Sequence, residues 1–299
     1  MRYPHIMAAV FSECWAMEES KFHAMMDFLE VQFAGGKFTR DEIEARIGKG
    51  QAKSVARQQG AIAILPLQGT IVNRASMMND ASGGTSAEQF GQVFSAAIAD
   101  PQVKAIVLDV NSPGGMVSGT DELSSLIHSA RGIKPIVSHV NSTAASAAYW
   151  IASAADEMVV TPTGSVGSIG VLGAHDDMSA QMASDGISRT VISAGKYKAE
   201  ASPYGPLSDS AKAHMQAQVD QAYGMFIKAV ARNRNVSQTA VQDGFGQGRM
   251  VQAGAAVAQG MADSVGTMSD VLARFSAVST AQQSRHAFAL EREKRALQI

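Results

Sequence analysis

VKAIVLDVNSPGG, residues 103–115, is the most informative stretch of this sequence for its architecture. The run from Val103 to Val110 is almost continuously apolar, which is typical of a strand buried on both faces of a sheet. Pro113, Gly114 and Gly115 follow it and predict a sharp turn, because glycine adopts backbone angles that other residues avoid. Helical patterns lie on either side, so this strand is expected to belong to a sheet covered by helices.

Strand and helix patterns alternate through the first two thirds of the chain. Strands are predicted at residues 61–72, 103–110, 135–140, 157–161 and 189–193, and helices at 86–100, 119–131, 144–155 and 178–185. This alternation favours an α/β fold with a parallel sheet and right-handed connections. Ligand sites in such sheets form beyond the carboxyl ends of the strands, so those ends are the places to look for functional residues.

The pattern divides the chain into a helical leader at 1–55, a main domain at 56–275 and a charged helical tail at 276–299. Thr39 and Glu42 in the leader have the spacing of a helix capping box. The main domain becomes entirely helical after Ser208. The tail is interpreted as a solvated helix or, alternatively, as a helix that binds a partner.

Composition limits the classes of protein to consider. Of the 299 residues 46% are hydrophobic, and the formal net charge of −2 gives no overall basic field for nucleic acid. Cys14 is the single cysteine, so no internal disulfide is possible and nothing requires an oxidising compartment. The apolar runs are too short or too broken for a signal peptide or a membrane span. A cytoplasmic protein is therefore expected.

Ser146 is the hydroxyl best placed for nucleophilic chemistry. It lies in NSTAASAAYW, residues 141–150, after a predicted strand and among small side chains that leave room for a peptide backbone. The N–H groups at the start of the following helix would lie beside it. The alternative is that these hydroxyls cap the helix, a role that Ser142 and Thr143 fit better than Ser146 does.

Two glycine-rich turns could complete such a site. NSPGG at 111–115 can direct backbone N–H groups into a cleft, where such donors stabilise an oxyanion, or it can be a plain turn. GSVGSIGV at 164–171 lacks the features of a phosphate loop and of a hydrolase nucleophile elbow. It either places Ser168 beside the reacting groups or forms only a tight turn.

Lys196 and Lys198, in GKYK at 195–198, are the candidate bases. A lysine acts as a base only if its pKa falls toward neutrality, which burial among apolar groups can cause. Tyr197 could supply part of that surrounding. The alternative is a pair of ordinary surface lysines in a loop.

Other nucleophilic arrangements are weaker. A Ser–His–Asp triad would need His139 or His175 with Asp109 or Asp176, but His139 is interpreted as a packed histidine of a strand. No second cluster of metal ligands accompanies His175, so no metal site is expected. Cys14 has no glycine-rich frame and is interpreted as an ordinary thiol.

Four motifs in order resemble the signal peptide peptidase A, or protease IV, family of serine peptidases. They are NSPGG at 111–115, AASAAYWIASAAD at 144–156, TGSVGSIGV at 163–171 and SAGKYKAEASPYGPLS at 193–208. The resemblance covers about residues 60–275. It implies a fold like that of the Clp protease and crotonase group, a spiral of ββα units, with a helical C-terminal part.

The resemblance also implies a Ser–Lys dyad. Ser146 would be the nucleophile and Lys198 the general base, since Lys196 falls two residues from the family position. Ser168 would orient the lysine. Neither a metal nor an organic cofactor is implied.

The family pattern further implies that backbone N–H groups of Gly114 and Ala147 form the oxyanion hole. Many relatives carry two glycines after the nucleophile, where this chain has Ala147 and Ala148. The backbone donor at position 147 is kept, and the added methyl groups narrow the cleft.

Three segments look like the head maturation proteases of lambda-like tailed phages: YPHIMAAVFSECWAMEES at 3–20, GTIVNR at 69–74 and SPGGMVSG at 112–119. This resemblance implies scaffold, portal or capsid proteins as substrates and a homo-oligomer in the bacterial host cytoplasm or the procapsid. It implies neither nucleic acid nor a membrane span. The alternatives are a bacterial signal-peptide or membrane-protein quality-control peptidase, a crotonase-like acyl-CoA enzyme, and a noncatalytic capsid assembly scaffold.

Overall fold

The computed structural model describes residue 10 and residues 13–33, 56–74 and 84–275. The helices are α1 (Glu19–Phe33), α2 (Ala87–Ala99), α3 (Thr120–Ser129), α4 (Ala147–Ala152), α5 (Ser179–Ser184), α6 (Asp209–Arg234), α7 (Gln238–Gly244) and α8 (Ala253–Ala258). A short 3₁₀ turn (Gly246–Gly248) follows α7, and residues 268–275 are helical. The strands are β1 (Trp15–Met17), β2 (Arg57–Gln59), β3 (Ile62–Gln68), β4 (Ile71–Val72), β5 (Thr85–Ser86), β6 (Ala105–Ser112), β7 (Gly114–Met116), β8 (Ile136–Ala145), β9 (Glu157–Val160), β10 (Ser165–Gly167), β11 (Met250–Gln252) and β12 (Ser264–Val265).

The main sheet has the strand order β11-β10-β8-β6-β3-β2. Its central strands β3, β6, β8 and β10 are mutually parallel, and the flanking strands β2 and β11 are antiparallel to their neighbours. Strand β8 changes partner along its length: its first half pairs with β9 and its last three residues pair with β10. The carboxyl ends of β6, β8 and β10 therefore meet at one edge of the sheet.

A second, smaller sheet has the order β1-β7-β4-β5. Strand β7 continues directly from β6 through the turn at Pro113, and α3 follows it. In the same way, strands β3 and β4 are followed first by the short strand β5 and then by helix α2. This repeat of strand, strand and helix confirms the predicted α/β class with ββα units, and α6 to α8 confirm the helical C-terminal part. The prediction that this part is entirely helical is wrong, because β11 and β12 pair with β10 and β9 of the main sheet.

Strand β6 has apolar residues on both faces because each face meets a different layer. Ile106, Leu108 and Val110 point into the main core, which the helices cover. Val107 points the other way, into a smaller core that also contains Val137 of β8. The continuous apolar run in the sequence is the direct consequence of this double burial.

Helix α4 is only six residues long and is stabilised by its surroundings, since so short a helix is not stable in isolation. The ring of Trp150 stacks on Phe226 of α6, with centroids 4.5 Å apart. The Arg131 guanidinium donates to the backbone oxygens of residues 153, 154 and 155 just after α4, at 2.6–3.0 Å. It also donates to the Asn233 oxygen at 2.9 Å, so one side chain ties α4 to the end of α6.

Several local predictions differ from the structure. Residues 141–145 continue β8, and α4 begins only at Ala147, because these positions pair with β10 and β6. The strand predicted at 189–193 is wrong, since these residues form no strand. The predicted loop at 164–173 contains β10, and the leader contains strand β1 as well as a helix. Thr39, Glu42 and the tail at 276–299 lie outside the described residues.

His139 and Asp109 form a buried polar pair in the main sheet, on neighbouring strands β8 and β6. His139 Nε2 lies 3.3 Å from the Gly266 oxygen. Within the described ranges, His139 Nδ1 and Asp109 Oδ1 are buried without a hydrogen-bond partner. Burial lowers the pKa of His139, despite the bond to Gly266 and the nearby Asp109, and burial raises the pKa of Asp109. Both groups are therefore displaced toward their neutral forms.

We expect acidification to destabilise the protein through His139. Its pKa is lower in the folded state than the ordinary value of about 6.5, so the unfolded chain binds the proton first as the pH falls. The stability that the neutral imidazole provides is present above about pH 6.5 and is lost below it, by at most about 1.4 kcal/mol per pH unit. Urea unfolding of wild type and His139→Gln at pH 7 and pH 5 should show a smaller loss for the variant.

The matched control is Asp109→Asn, because the raised pKa of Asp109 acts with the opposite sign. Ionisation of Asp109 lowers the free energy of unfolding as the pH rises through its folded pKa. The Asp109→Asn variant should therefore keep the loss of stability that His139 causes on acidification. If wild type and His139→Gln lose the same free energy of unfolding between pH 7 and pH 5, the acid sensitivity does not come from His139.

Candidate active site

Ser146 occupies the corner between β8 and α4 in a strained backbone conformation. Its φ of 54° and ψ of −117° lie in a region that side chains other than glycine rarely adopt. The backbone N–H of Ser146 donates to the Gly167 oxygen at 2.7 Å, and this bond helps to hold the corner. Such strain persists only where surrounding structure imposes it, and it concentrates at functional positions.

The hydroxyl of Ser146 is not a helix cap. It sits at the N-cap position of α4, but its side chain makes no capping hydrogen bond. The side-chain Oγ instead donates to the Gly170 oxygen at a long 3.3 Å. Ser142 and Thr143, the alternative caps, lie on β8 and contact each other at 3.5 Å. The capping interpretation of this stretch is therefore wrong, and the Ser146 hydroxyl is left with only a weak bond.

Ser168 directly follows β10, just as Ser146 directly follows the neighbouring parallel strand β8. Ala145 pairs with Gly167 at the ends of these two strands, so the two serines leave the sheet side by side. Ser168 also has a positive φ, 52°, and its N–H donates to the Arg249 oxygen at 3.0 Å. Two buried hydroxyl residues thus share one corner of the sheet.

Gly114 and Ala147, the two donors that the resemblance implies, lie close together at this corner. A Cβ on Gly114 would lie 3.1 Å from the backbone nitrogen of Ala147 and would collide with the backbone oxygen of Ala16. The N–H of Gly114, however, donates to Ser112 Oγ at 3.1 Å. This donor already has an acceptor inside the protein, so its role in an oxyanion hole stays a prediction.

Gly115 is a second candidate donor of the same turn, which the sequence analysis missed. Strand β1 runs antiparallel to β7 with Ala16 opposite Gly115. Two backbone hydrogen bonds flank this pair, each two residues from it along the strands. The N–H of Glu18 donates to the Pro113 oxygen, and the N–H of Val117 donates to the Cys14 oxygen. Alternation of the antiparallel ladder then makes Ala16 and Gly115 a hydrogen-bonded pair, so the Gly115 N–H points across the groove. The second glycine of SPGG was the available signal.

Lys198 is not brought to Ser146 in this single chain. Its side chain is exposed in the loop between α5 and α6, while Ser146 is fully buried. Across residues 84–275 no hydrogen bond joins the two side chains. Lys196 is also exposed, with its Nζ 4.8 Å from the centre of the Tyr197 ring. The roles of Lys198 and Ser168 as base and orienting group stay predictions.

The loop that carries Lys198 has an unusual surface. Ile187, Val191, Ile192 and Tyr197 are all exposed, Ile192 by 94%. These residues include the apolar run that the sequence predicted as a strand. A strand requires a hydrogen-bonding partner, and none of the described part of this chain pairs with the run.

The alternative nucleophiles do not assemble a site. His139 faces Gly266 in the sheet, His175 lies with its Nε2 3.1 Å from the Ser202 oxygen, and neither hydrogen-bonds Ser146 in the described ranges. Burial, and then the charge of Glu13, raise the pKa of Cys14, which disfavours the reactive thiolate.

The described residues contain no group of three or more His, Cys, Asp or Glu side chains arranged to hold a metal ion. None of the helices within these ranges has the length and apolar character to cross a membrane.

A strained serine beside backbone N–H donors at a strand-to-helix corner is typical of a serine hydrolase. The model of peptidase family S49 matches residues 128–282, and this chain belongs to that family. The capsid assembly protease C of Escherichia phage lambda is 30% identical over 298 residues, which cover 94% of this chain and 67% of that protein. Protease 4 of Salmonella typhi is 32% identical over 232 residues, 77% of this chain but 37% of that protein.

A solved structure of a membrane-bound stomatin-specific protease is also similar. It matches with a TM-score of 0.45 and 13% identity, over 72% of this chain and 84% of that one. The predicted membership of the signal peptide peptidase A and protease IV group, with a phage capsid protease among the relatives, is confirmed by the family match and the sequence relatives.

Proposed function

We propose that this chain is a serine endopeptidase of phage or prophage head maturation. The observation that carries the proposal is the Ser146 corner, where a strained, weakly bonded hydroxyl lies beside the backbone donors of Gly115 and Ala147. An oxyanion hole requires such donors fixed in place before the reaction starts. An enzyme that used only the oxyanion hole, as a crotonase-like catalyst would, has no need of the strained serine.

The proposed chemistry is acyl transfer to Ser146. The neutral amine of Lys198 takes the proton from Ser146 Oγ, which attacks the scissile carbonyl carbon. The oxyanion is held by the backbone N–H groups at Ala147 and the SPGG turn. Lys198 then gives its proton to the leaving amine, and it activates a water molecule that hydrolyses the acyl-enzyme. Ser168, at the same corner, would orient the amine. These steps need no metal or organic cofactor.

An assembly of more than one chain would deliver Lys198 to Ser146. A lysine acts as a general base only in its neutral form, which a dry site favours. The exposed apolar residues of the same loop, among them Ile192 and Tyr197, would be buried if the loop packed against another copy of the chain. We therefore propose a homo-oligomer in which this packing brings the amine into a dry site.

The substrate assignment rests on the phage relative. This chain spans 67% of the lambda protein named capsid assembly protease C and only 37% of Protease 4. The larger share of the phage protein that is covered favours scaffold, portal or capsid proteins as substrates over bacterial signal peptides or membrane proteins. Cleavage would then take place in the host cytoplasm or the procapsid. A noncatalytic scaffold would not need the strain stored at Ser146.

Coexpression with the head proteins of the same phage or prophage tests this proposal. We expect new N-termini in scaffold, portal or capsid proteins, detected by mass spectrometry, that disappear when the chain is inactivated with a serine-directed phosphonate. Fragments from membrane proteins or signal peptides alone would contradict the phage assignment. Head proteins that remain intact, with no phosphonate on Ser146, would favour the noncatalytic scaffold.

A further inference from the structure

The groove at Ser146 is filled by a segment of the same chain. Strand β1 pairs antiparallel with β7, with Trp15 opposite Met116 and Met17 opposite Gly114. On its other side Trp15 exchanges two backbone hydrogen bonds with Leu172, at 2.8 and 2.9 Å. Leu172 follows shortly after Gly170, which accepts the Ser146 hydroxyl. The segment thus lies as a middle strand between the two walls that flank the nucleophile.

The carbonyl of Ala16 points toward the oxyanion corner. The ladder alternation makes it the acceptor of the Gly115 N–H. A Cβ atom added to Gly114 would collide with this oxygen, and the same Cβ would lie 3.1 Å from the Ala147 nitrogen. The Ala16 oxygen, Gly115 and Ala147 therefore converge in the place where a substrate carbonyl must lie for attack.

The side chains of β1 alternate between two surroundings, as those of a bound peptide strand would. Ala16 is fully buried and belongs to the main core together with Ala147 and Ala148. Trp15 and Met17 face the other way and form a separate cluster with residues of α1, Phe22 and Met26. Helix α1 thus anchors the strand from outside, while Ala16 alone points into the body of the domain.

We propose that Trp15–Met17 is an intramolecular occupant of the peptide-binding groove, with Ala16 in the position of the residue whose carbonyl is attacked. Protein substrates must displace this strand before they can bind. The occupied pocket also defines the substrate class: peptides with a small side chain at the position of Ala16, since that side chain is fully buried in the main core. The inference rests on the proposed function of Ser146.

A disulfide lock tests whether the strand must leave. Cys14 is opposite Val117, as the bond from the Val117 N–H to the Cys14 oxygen at 3.0 Å shows, and both residues are half-buried. Cα atoms of such a pair are about 5.5 Å apart, within the range that a disulfide spans. Because Cys14 is the single cysteine, Val117→Cys creates one possible intramolecular bond.

We expect oxidised Val117→Cys to lose at least tenfold in kcat/KM toward a protein substrate or a peptide with alanine at the cut. Reduction should restore wild-type activity. The matched control, Cys14→Ser with Val117→Cys, has the same substitution just after β7 but cannot form the disulfide, so its activity should not respond to oxidation. Equal activity of the oxidised and reduced forms would overturn the proposal, and so would failure of the disulfide to form under oxidation.

A second pair of measurements does not depend on the disulfide. Trp15→Asp with Met17→Asp removes the apolar anchor on α1 and should raise kcat/KM by severalfold, whereas His23→Ala, on the exposed side of α1, should not. A synthetic peptide of residues 13–20 should inhibit the released variant competitively, and the same peptide with lysine at the Ala16 position should not. Equal inhibition by the two peptides would exclude a small-residue pocket.

Failure of this inference can be told apart from failure of the proposed function. The reduced lock variant is treated with the serine-directed phosphonate and assayed for Ser146-dependent cleavage. If the phosphonate does not label Ser146 and no Ser146-dependent cleavage occurs, the proposed function itself is refuted. Ser146-dependent cleavage that is unchanged by locking or releasing the strand would leave the peptidase in place and refute only the occupied groove.

Discussion

Replacement of Ser146 by alanine should lower kcat by roughly 10⁴-fold or more, since loss of the nucleophile in serine peptidases has effects of this size or larger. Stability should change little, because the hydroxyl makes only a 3.3 Å bond to the Gly170 oxygen. The two effects are measured by steady-state cleavage of a peptide substrate and by urea unfolding at the same pH.

Ser142→Ala provides the matched control for this experiment. Ser142 lies four residues earlier in the same motif, on β8, with an exposed side chain. The Ser142→Ala variant should keep the wild-type kcat, and a serine-directed phosphonate should still label its Ser146. Retention of cleavage by the Ser146 variant, or loss of labelling in the Ser142 variant, would exclude Ser146 as the nucleophile.

Lys198→Ala should lower kcat to a similar extent, and mixing should rescue it. Lys198 is exposed in the single chain, and under the proposed assembly another subunit supplies it to the site. Subunits with Ser146→Ala and subunits with Lys198→Ala are each inactive alone, but a mixed oligomer contains sites with an intact serine and an intact lysine. Random mixing of equal amounts should restore about one quarter of wild-type activity, if each site takes its two groups from different subunits of a symmetric assembly.

Lys196→Ala is the control for the identity of the base. Lys196 lies two residues away in the same exposed loop, above the Tyr197 ring. Its loss should reduce kcat by no more than about threefold, because a surface cation–π contact contributes little. A larger effect of Lys196→Ala than of Lys198→Ala would assign the base to Lys196. Two inactive single variants without rescue on mixing would indicate that the lysine acts within its own subunit.

The sheet and the serine at its corner were predictable because their signals are local. The apolar run of β6 reports burial on both faces, and Ser146 stands among small residues directly after a strand. The start of α4 was misplaced because Ala144 and Ala145 carry no preference strong enough to separate a strand end from a helix start. Their pairing with neighbouring strands decides the matter, and that pairing is not local.

Three features of the site depend on contacts that a sequence does not show. The choice between Gly114 and Gly115 as donor depends on Ser112 Oγ, which takes the Gly114 N–H. Strand β1 has only three residues, too few for a periodic pattern, and its partners lie about a hundred positions away along the chain. The proposed position of Lys198 in the site depends on a packing partner for its loop, and no pattern within the loop identifies that partner.

The solvent position of Lys198 has a consequence for the kinetics of the enzyme. If a second subunit must supply the amine, the fraction of working sites follows the association equilibrium of the chain. Specific activity would then rise with protein concentration and fall on dilution, instead of remaining constant as for a self-sufficient monomer. Newly made chains at low abundance would stay harmless to the host, and proteolysis would begin only where many copies are confined together.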